Sequence, residues 1–207
     1  MTAAIRHASL IVVAVLALGG CLFRTAEAPR FYRPASAALD DASETPETPT
    51  GVPVRLGNVR SAPFLRERIV WRASAVEYGL YEQRRWFELP SRYVRRALAS
   101  AIETTPELAV SQDPSAPRLD VELLAFDEIL APTHEAHVAL AATVRDGGRQ
   151  RLERTFAAHV PITGDDGAAT AEAMGRALDE VVTKVAKATA TALAAEKSTP
   201  PKRPRGK

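Results

Sequence analysis

Residues 134–160 read HEAHVALAATVRDGGRQRLERTFAAHV, two runs of alternating side chains joined through Asp146, Gly147 and Gly148. A period of two puts every second residue on one face of a strand, and a glycine-bearing break of this kind turns the chain back antiparallel. Register then follows from the demand that opposed residues share a face, since a one-residue slip inverts every side chain. A two-residue loop would set Val144 against Arg151 and Val138 against Ala157, which mixes the faces. A three-residue loop sets Arg145 against Arg149 and pairs Val138 with Phe156, Ala142 with Leu152 and Ala136 with Ala158. The three-residue loop is therefore expected, with a glycine in the left-handed conformation at its end. One pair, Leu140 with Arg154, fits it poorly.

Working outward, Arg118 to Ile129 alternates in the same way and makes the hairpin a three-strand meander. On the other side, Asp165 or Asp166 caps a helix running to about Glu196, with Met174, Leu178, Val181, Val185, Ala188 and Ala192 along one face. Its many alanines permit close approach to a sheet or another helix, and the 4, 3, 4, 3, 4 spacing also fits a coiled-coil seam, although charged flanking positions are sparse. Upstream, Val54 to Val59 reads as a first strand and Arg68 to Leu80 as one or two more. Ser91 follows Pro90 as the expected cap of a helix with Val94, Ala97, Leu98, Ala101 and Ile102 on one face, Arg92, Arg95, Arg96 and Glu103 on the other, and Pro106 as its stop. The fold class expected is α/β: a mixed sheet with an antiparallel meander and two principal helices.

The chemistry-bearing residues are few. Thr133-His134-Glu135-Ala136-His137 is not the helical H-E-x-x-H pattern, and on a strand His134 and His137 point to opposite faces. The expected register sets Glu135 opposite His159, with His137 on the same face. Those three are the candidate metal or proton-sensing cluster, and a solvated polar sheet face accounts for them more simply, because no fourth ligand is evident. No metal, cofactor or catalytic residue is assigned. There is no G-x-S-x-G elbow, no G-x-G-x-x-G and no Walker A loop. The adjacent acids Asp127-Glu128 and Asp165-Asp166 are assigned to solubility and helix capping.

Cys21 is the one cysteine of the chain. Arg6, an apolar run from Ser9 to Leu18, and Leu18-Gly19-Gly20-Cys21 form the pattern of a lipoprotein signal peptide, cleaved before the cysteine that takes the lipid. The apolar run falls short of the roughly 20 residues that span a bilayer. Two or three acyl chains, at about 0.8 kcal/mol per buried methylene, would anchor the protein stably. Leu22 in place of an aspartate favours the outer membrane. The expected divisions are 1–20 signal peptide, 21–50 lipidated disordered tether, 51–196 folded domain and 197–207 basic disordered tail. The tether, rich in Pro, Thr, Ala and acids, would set the domain about 30 Å from its anchor. Overall charge is +2, with 27 basic and 25 acidic side chains. The cations of the tail, Lys197, Lys202, Arg203, Arg205 and Lys207, leave the body mildly acidic, unlike a nucleic-acid binder.

Arg84-Arg85-Trp86-Phe87-Glu88-Leu89-Pro90, preceded by Phe64-Leu65-Arg66-Glu67-Arg68-Ile69-Val70-Trp71-Arg72 and followed by the amphipathic helix through Ile102, resembles the ABC-type transport auxiliary lipoprotein family, of the paraquat-inducible intermembrane-transport type. The resemblance runs from about residue 31 to 195. Phe31-Tyr32 sits where such proteins often carry two aromatics and a leucine, and Arg33 stands in place of the leucine. The resemblance implies an anticodon-binding-domain-like fold and no catalytic residues. It also implies a non-enzymatic partner of an MCE-domain periplasmic protein and an ABC permease and ATPase that move lipid between two membranes, with homo-oligomerisation possible. An envelope scaffold or secretion pilot shares the lipoprotein layout without handling lipid, and a periplasmic hydrolase is the least supported reading.

Overall fold

A computed structural model describes residues 27–40 and 51–197. The leader with Cys21, residues 41–50 and the tail beyond Lys197 lie outside the described residues. The elements are β1 (Arg30–Tyr32), α1 (Ala37–Asp40), β2 (Val52–Ser61), β3 (Arg68–Arg72), β4 (Tyr78–Trp86), α2 (Pro90–Glu103), β5 (Leu108–Val110), β6 (Arg118–Ile129), β7 (Glu135–Asp146), β8 (Arg149–Pro161) and α3 (Gly167–Lys197). All eight strands join one mixed sheet. β6 is its centre: β7 runs antiparallel along one edge, while the other edge is shared between β2 beside Arg118–Leu123 and β3 beside Asp127–Ile129, both parallel. From β3 the sheet continues through β4 to β1, and from β2 to β5. The mixed α/β class expected from the sequence is the one observed.

The hairpin keeps its faces but not its partners. Gly147 and Gly148 both have positive φ, 52° and 81°, and alone form a two-residue loop that closes Asp146 on Arg149. Such a loop needs two residues in the left-handed region, which the glycine pair supplies at no steric cost. Arg145 then meets Gln150, and a bulge at Val144 shifts the ladder so that Val144 faces Leu152, Leu140 faces Phe156, Val138 faces Ala158 and Ala136 faces Val160. The expected Val138–Phe156 pairing is thus displaced by two positions. A bulge adds one residue to one strand, here Arg151, and restores the parity that a plain two-residue loop would break. It also removes the poor match, because Leu140 gains Phe156 and the Arg154 guanidinium lies 5.1 Å over the Phe156 ring.

Both long helices cover the same face of the sheet. Ala136, Val138, Leu140, Ala142 and Val144 of β7 are buried beneath α3, together with Met174, Leu178, Val181 and Val185 from the helix. Asp166 is the cap that the sequence left open between two candidates, since its Oδ1 accepts the Ala169 N–H at 2.8 Å. α2 buries Val94, Ala97, Leu98, Ala101 and Ile102, as its spacing requires. Its cap differs from expectation: Leu89 is extended and makes no side-chain cap, and Pro90 rather than Ser91 opens the helix. Proline's φ is already helical and it lacks the N–H that would be left over at the first position, so it opens the helix, and Ser91 stands one residue inside, where it cannot be the cap. A bidentate Arg96–Glu88 pair at 2.7 and 3.0 Å ties the entry down, and the Glu88 carboxyl is held below its ordinary pKa by those bonds from Arg96.

Residues 27–40, expected within the tether, are instead part of the fold. β1 adds in parallel to the outer edge of β4, with Tyr32 beside Trp86, and α1 follows, packed against both α2 and α3. Asp179 of α3 organises the crossing: Ser36 Oγ donates to its Oδ1 at 2.5 Å and the Ala37 N–H to its Oδ2 at 2.9 Å, while the Ala35 N–H donates to the Ala171 carbonyl at 3.1 Å. The backbone lies so close to the helix that a Cβ on Gly175 would stand 1.9 Å from the Ala35 carbonyl oxygen. Composition misled here because alanine and serine, which look like linker residues, are what this close approach admits. Gly175→Val should therefore expel the strap and cost about 1–3 kcal/mol, the usual range for overpacking. Limited proteolysis cutting between residues 30 and 40 in the variant, with a lowered denaturant midpoint, is the expected result; an unchanged pattern would refute the docking.

Candidate functional site

Asp127 and Glu128 are each only 2% exposed, which corrects their assignment to solubility. Adjacent residues on a strand point to opposite faces, so Glu128 is covered by α3 while Asp127, on the face without helices, is covered by the side chains of Arg72 and His137 from the flanking strands β3 and β7. Asp127 projects away from the helices and meets the Arg72 Nε at 3.1 Å and the His137 Nδ1 at 2.9 Å. Glu128 projects beneath α3, where Thr170 Oγ1 donates to it at 3.1 Å and the His134 Nε2 stands at 2.7 Å. Arg84 lies 3.9 Å from Glu128, stacks 4.5 Å over the Tyr81 ring and donates to the Asp165 carbonyl at 2.8 Å. Burial first, then the Glu128 charge, pushes the Tyr81 hydroxyl pKa up to about 12, so it stays protonated and hydrogen-bonds that carboxylate. A buried carboxylate without partners would cost several kcal/mol, and each of these has a guanidinium and an imidazole.

The candidate cluster Glu135, His137 and His159 does come together, by a different register from the one expected. His137 is directly opposite His159, and their rings stack at 4.4 Å with planes 18° apart. Glu135 reaches His159 diagonally, Oε2 to Nδ1 at 3.3 Å. The His137 Nδ1 lies 2.9 Å from Asp127 and 3.2 Å from the Arg72 Nη2, so its tautomer decides whether it donates to the carboxylate or accepts from the guanidinium. Each ring nitrogen named is thus directed at its own carboxylate and not at a shared centre. Among the described residues no group of three or more His, Cys, Asp or Glu is arranged to hold a metal ion. Nor does a serine, threonine or cysteine side chain hydrogen-bond to either His134 or His137 among the described residues, as nucleophile activation would require.

The clefts lie elsewhere. One of about 490 Å³ on the open face is polar, lined by Asn58, Arg60, Glu122, Thr143, Glu153 and Thr155. A second, of about 640 Å³, separates the end of α2 from α3 between Thr104, Glu107, Lys187 and Thr191. The third, of about 370 Å³, is almost wholly apolar and is formed by Phe64, Val70, Tyr78, Gly79 and Leu80. None of these three includes Asp127, Glu128, His137 or His159. The paired acids therefore act as a clamp between the β3–β4 wing, the meander and α3. The sequence signal that could have exposed them was the pair of arginines, Arg72 and Arg84, on neighbouring strands.

A family model described as the ABC-type transport auxiliary lipoprotein component matches residues 37–186. Among solved structures, protein XCC0632 from Xanthomonas campestris, of family-model DUF330, is 20% identical with a TM-score of 0.69, over 82% of this chain and 100% of that one. A second, an uncharacterized protein, is 13% identical with a TM-score of 0.63 over 78% and 98% of the two chains. The hypothetical protein CT253 from Chlamydia trachomatis is 9% identical with a TM-score of 0.51, covering 70% and 99%. These likenesses show a shared fold. No functionally curated protein matches the chain significantly.

Proposed function

This chain belongs to the ABC-type transport auxiliary lipoprotein family, a family of transport components and not of enzymes, and from that membership we propose that it is the outer-membrane-anchored, periplasm-facing lipoprotein of an ABC/MCE-type system that moves lipid between membranes. The family match over residues 37–186 carries the reading, because it takes in α2, α3 as far as Ala186 and every strand of the sheet except β1. Within this proposal residues 1–20 are a signal peptide, Cys21 bears the lipid, and the protein acts by contact with an MCE-domain partner and the permease complex, not by turnover. Anchoring gives the domain a high effective concentration near such a partner, so a modest affinity suffices.

The docked strap sharpens the geometry of the anchor. Cys21 stands nine positions before Arg30, where the fold begins its first strand. Nine residues reach at most about 32 Å even fully extended. The domain would thus stay closer to its membrane than a spacer running to Val52 allows. Cys21→Ser should abolish incorporation of labelled palmitate and release the protein from the membrane fraction; undiminished labelling would remove the lipoprotein assignment. Photo-crosslinkers at exposed positions should capture the MCE-type protein in cells, and failure to capture any component of an ABC transporter would count against the partner.

A further inference from the structure

The open face of the sheet is divided. On the β7–β8 side it is polar, with His137, His159, Thr143, Glu153 and Thr155. On the β3–β4–β1 wing it is apolar and basic. Phe31 is 57% exposed, Phe87 71%, and Phe64, Tyr78 and Leu80 are exposed as well, while Val76 at the β3–β4 turn is 90% exposed. Most of the large exposed apolar side chains among the described residues belong to this wing. Strand register sets several of them on one side. Leu80 pairs with Val70 and Tyr78 with Arg72, and Val70 pairs with Asp127, which fixes that side as the one away from the helices. Phe31 pairs with Arg85, and Arg85 with Arg68, on the same side, since the alternate residues Arg84, Trp86 and Tyr32 turn inward to Glu128, Phe126 and Gly167. Among the described residues neither Arg68 nor Arg85 has an acidic partner, although Glu67 and Glu82 are close in sequence.

Exposed aromatic side chains beside unpaired arginines suit an interface between headgroups and acyl chains, where the rings enter the apolar boundary and the guanidinium groups meet phosphate. The occupant follows from where the chain leads: β1 is an edge strand of this wing, and nine positions before it stands the cysteine proposed to carry the lipid. We propose that the open face of the β3–β4–β1 wing is a membrane-contact surface that seats the domain on the anionic phospholipid bilayer holding its own anchor. This rests on the lipoprotein reading for the proximity of the membrane, and on the face itself for the contact. α3 begins beside Tyr32, and its 31 residues carry its far end about 45 Å away.

The test has two arms. In the first, the lipidated full chain, with Cys21 blocked by its acyl group, carries Val76→Cys, Phe87→Cys or Glu153→Cys labelled with an environment-sensitive fluorophore on phosphatidylglycerol-containing vesicles. Labels at 76 and 87 should be quenched by spin-labelled lipid and the label at 153 should not. In the second, the full chain with Cys21→Ser should sediment with phosphatidylglycerol vesicles and not with phosphatidylcholine. Each of Arg68→Glu and Arg85→Glu should weaken that binding roughly fivefold or more, and Phe31→Ser with Phe87→Ser should abolish it while the melting temperature holds. Equal solvent exposure of all three labels, or no vesicle binding by the unanchored chain, would overturn the proposal and leave the face to a protein partner. Self-association of the unanchored chain that is lost with Phe31→Ser and Phe87→Ser would assign it to a second copy instead. Because the second arm needs no lipid anchor, it reads the face even if palmitate labelling shows that Cys21 is unmodified.

Discussion

Trp86→Ala is expected to lower the unfolding free energy by about 3–5 kcal/mol, the range for removing a large aromatic from a core. Trp86 heads the largest fully buried side chains and meets Phe126 edge to face, ring centroids 5.1 Å apart and planes 71° apart. An aromatic pair of this geometry adds about 0.5–1.5 kcal/mol beyond the area it buries. The position also ties its neighbours together: its N–H donates to the Glu67 carbonyl before β3, and its register partner is Tyr32 of the strap. Collapse of the wing into the void is resisted because β6 on the far side is held by β7 along its length. Urea unfolding followed by far-ultraviolet circular dichroism measures the loss, since the fluorescence of Trp86 itself goes with the mutation. A cost below about 1 kcal/mol would mean that the wing packs differently.

Arg72→Leu should cost a similar amount, about 3–5 kcal/mol, for an electrostatic reason. It removes the guanidinium from a carboxylate whose side chain is 3% exposed and leaves the Asp127 charge with only an imidazole beside it. The informative variant is the double one. Arg72→Leu with Asp127→Val replaces the pair by apolar groups, and such replacements are often neutral or stabilising, so most of the loss should return. Equal stability of the single and double variants would show that the carboxylate is not paying for desolvation and that the clamp is ornamental. Recovery would establish that the pair fixes how the β3–β4 wing registers on β6 without adding net stability.

Much of the layered architecture was legible in the residues. The α2 and α3 faces follow from spacing of three and four, a local property that survives whatever the helices pack against, and every apolar position read from α2 is buried. Parity along β7 and β8 was legible too, because alternation alone assigns faces. The partner of each residue was not. It depends on a bulge that inserts Arg151, and the parity rule is equally satisfied by ladders two positions apart.

The family was written locally, in the Arg85-Trp86 stretch before α2, and the proposed lipid attachment rests on equally local sequence, Cys21 and the apolar run before it. Chain order alone likewise determined that a meander precedes a long helix. Three things were decided only by tertiary structure. Asp127 and Glu128 are buried because β3 and β7 flank β6, and strand position within a sheet is a long-range property that an acidic dipeptide does not announce. Residues 30–40 fold because Gly175 opens a seat for Ala35 on α3, a complementarity between segments about 140 positions apart. The exposed aromatics gather with Arg68 and Arg85 only after β1 and β3 pair on either side of β4, since residues 31, 68 and 85 share a face through register and not through spacing.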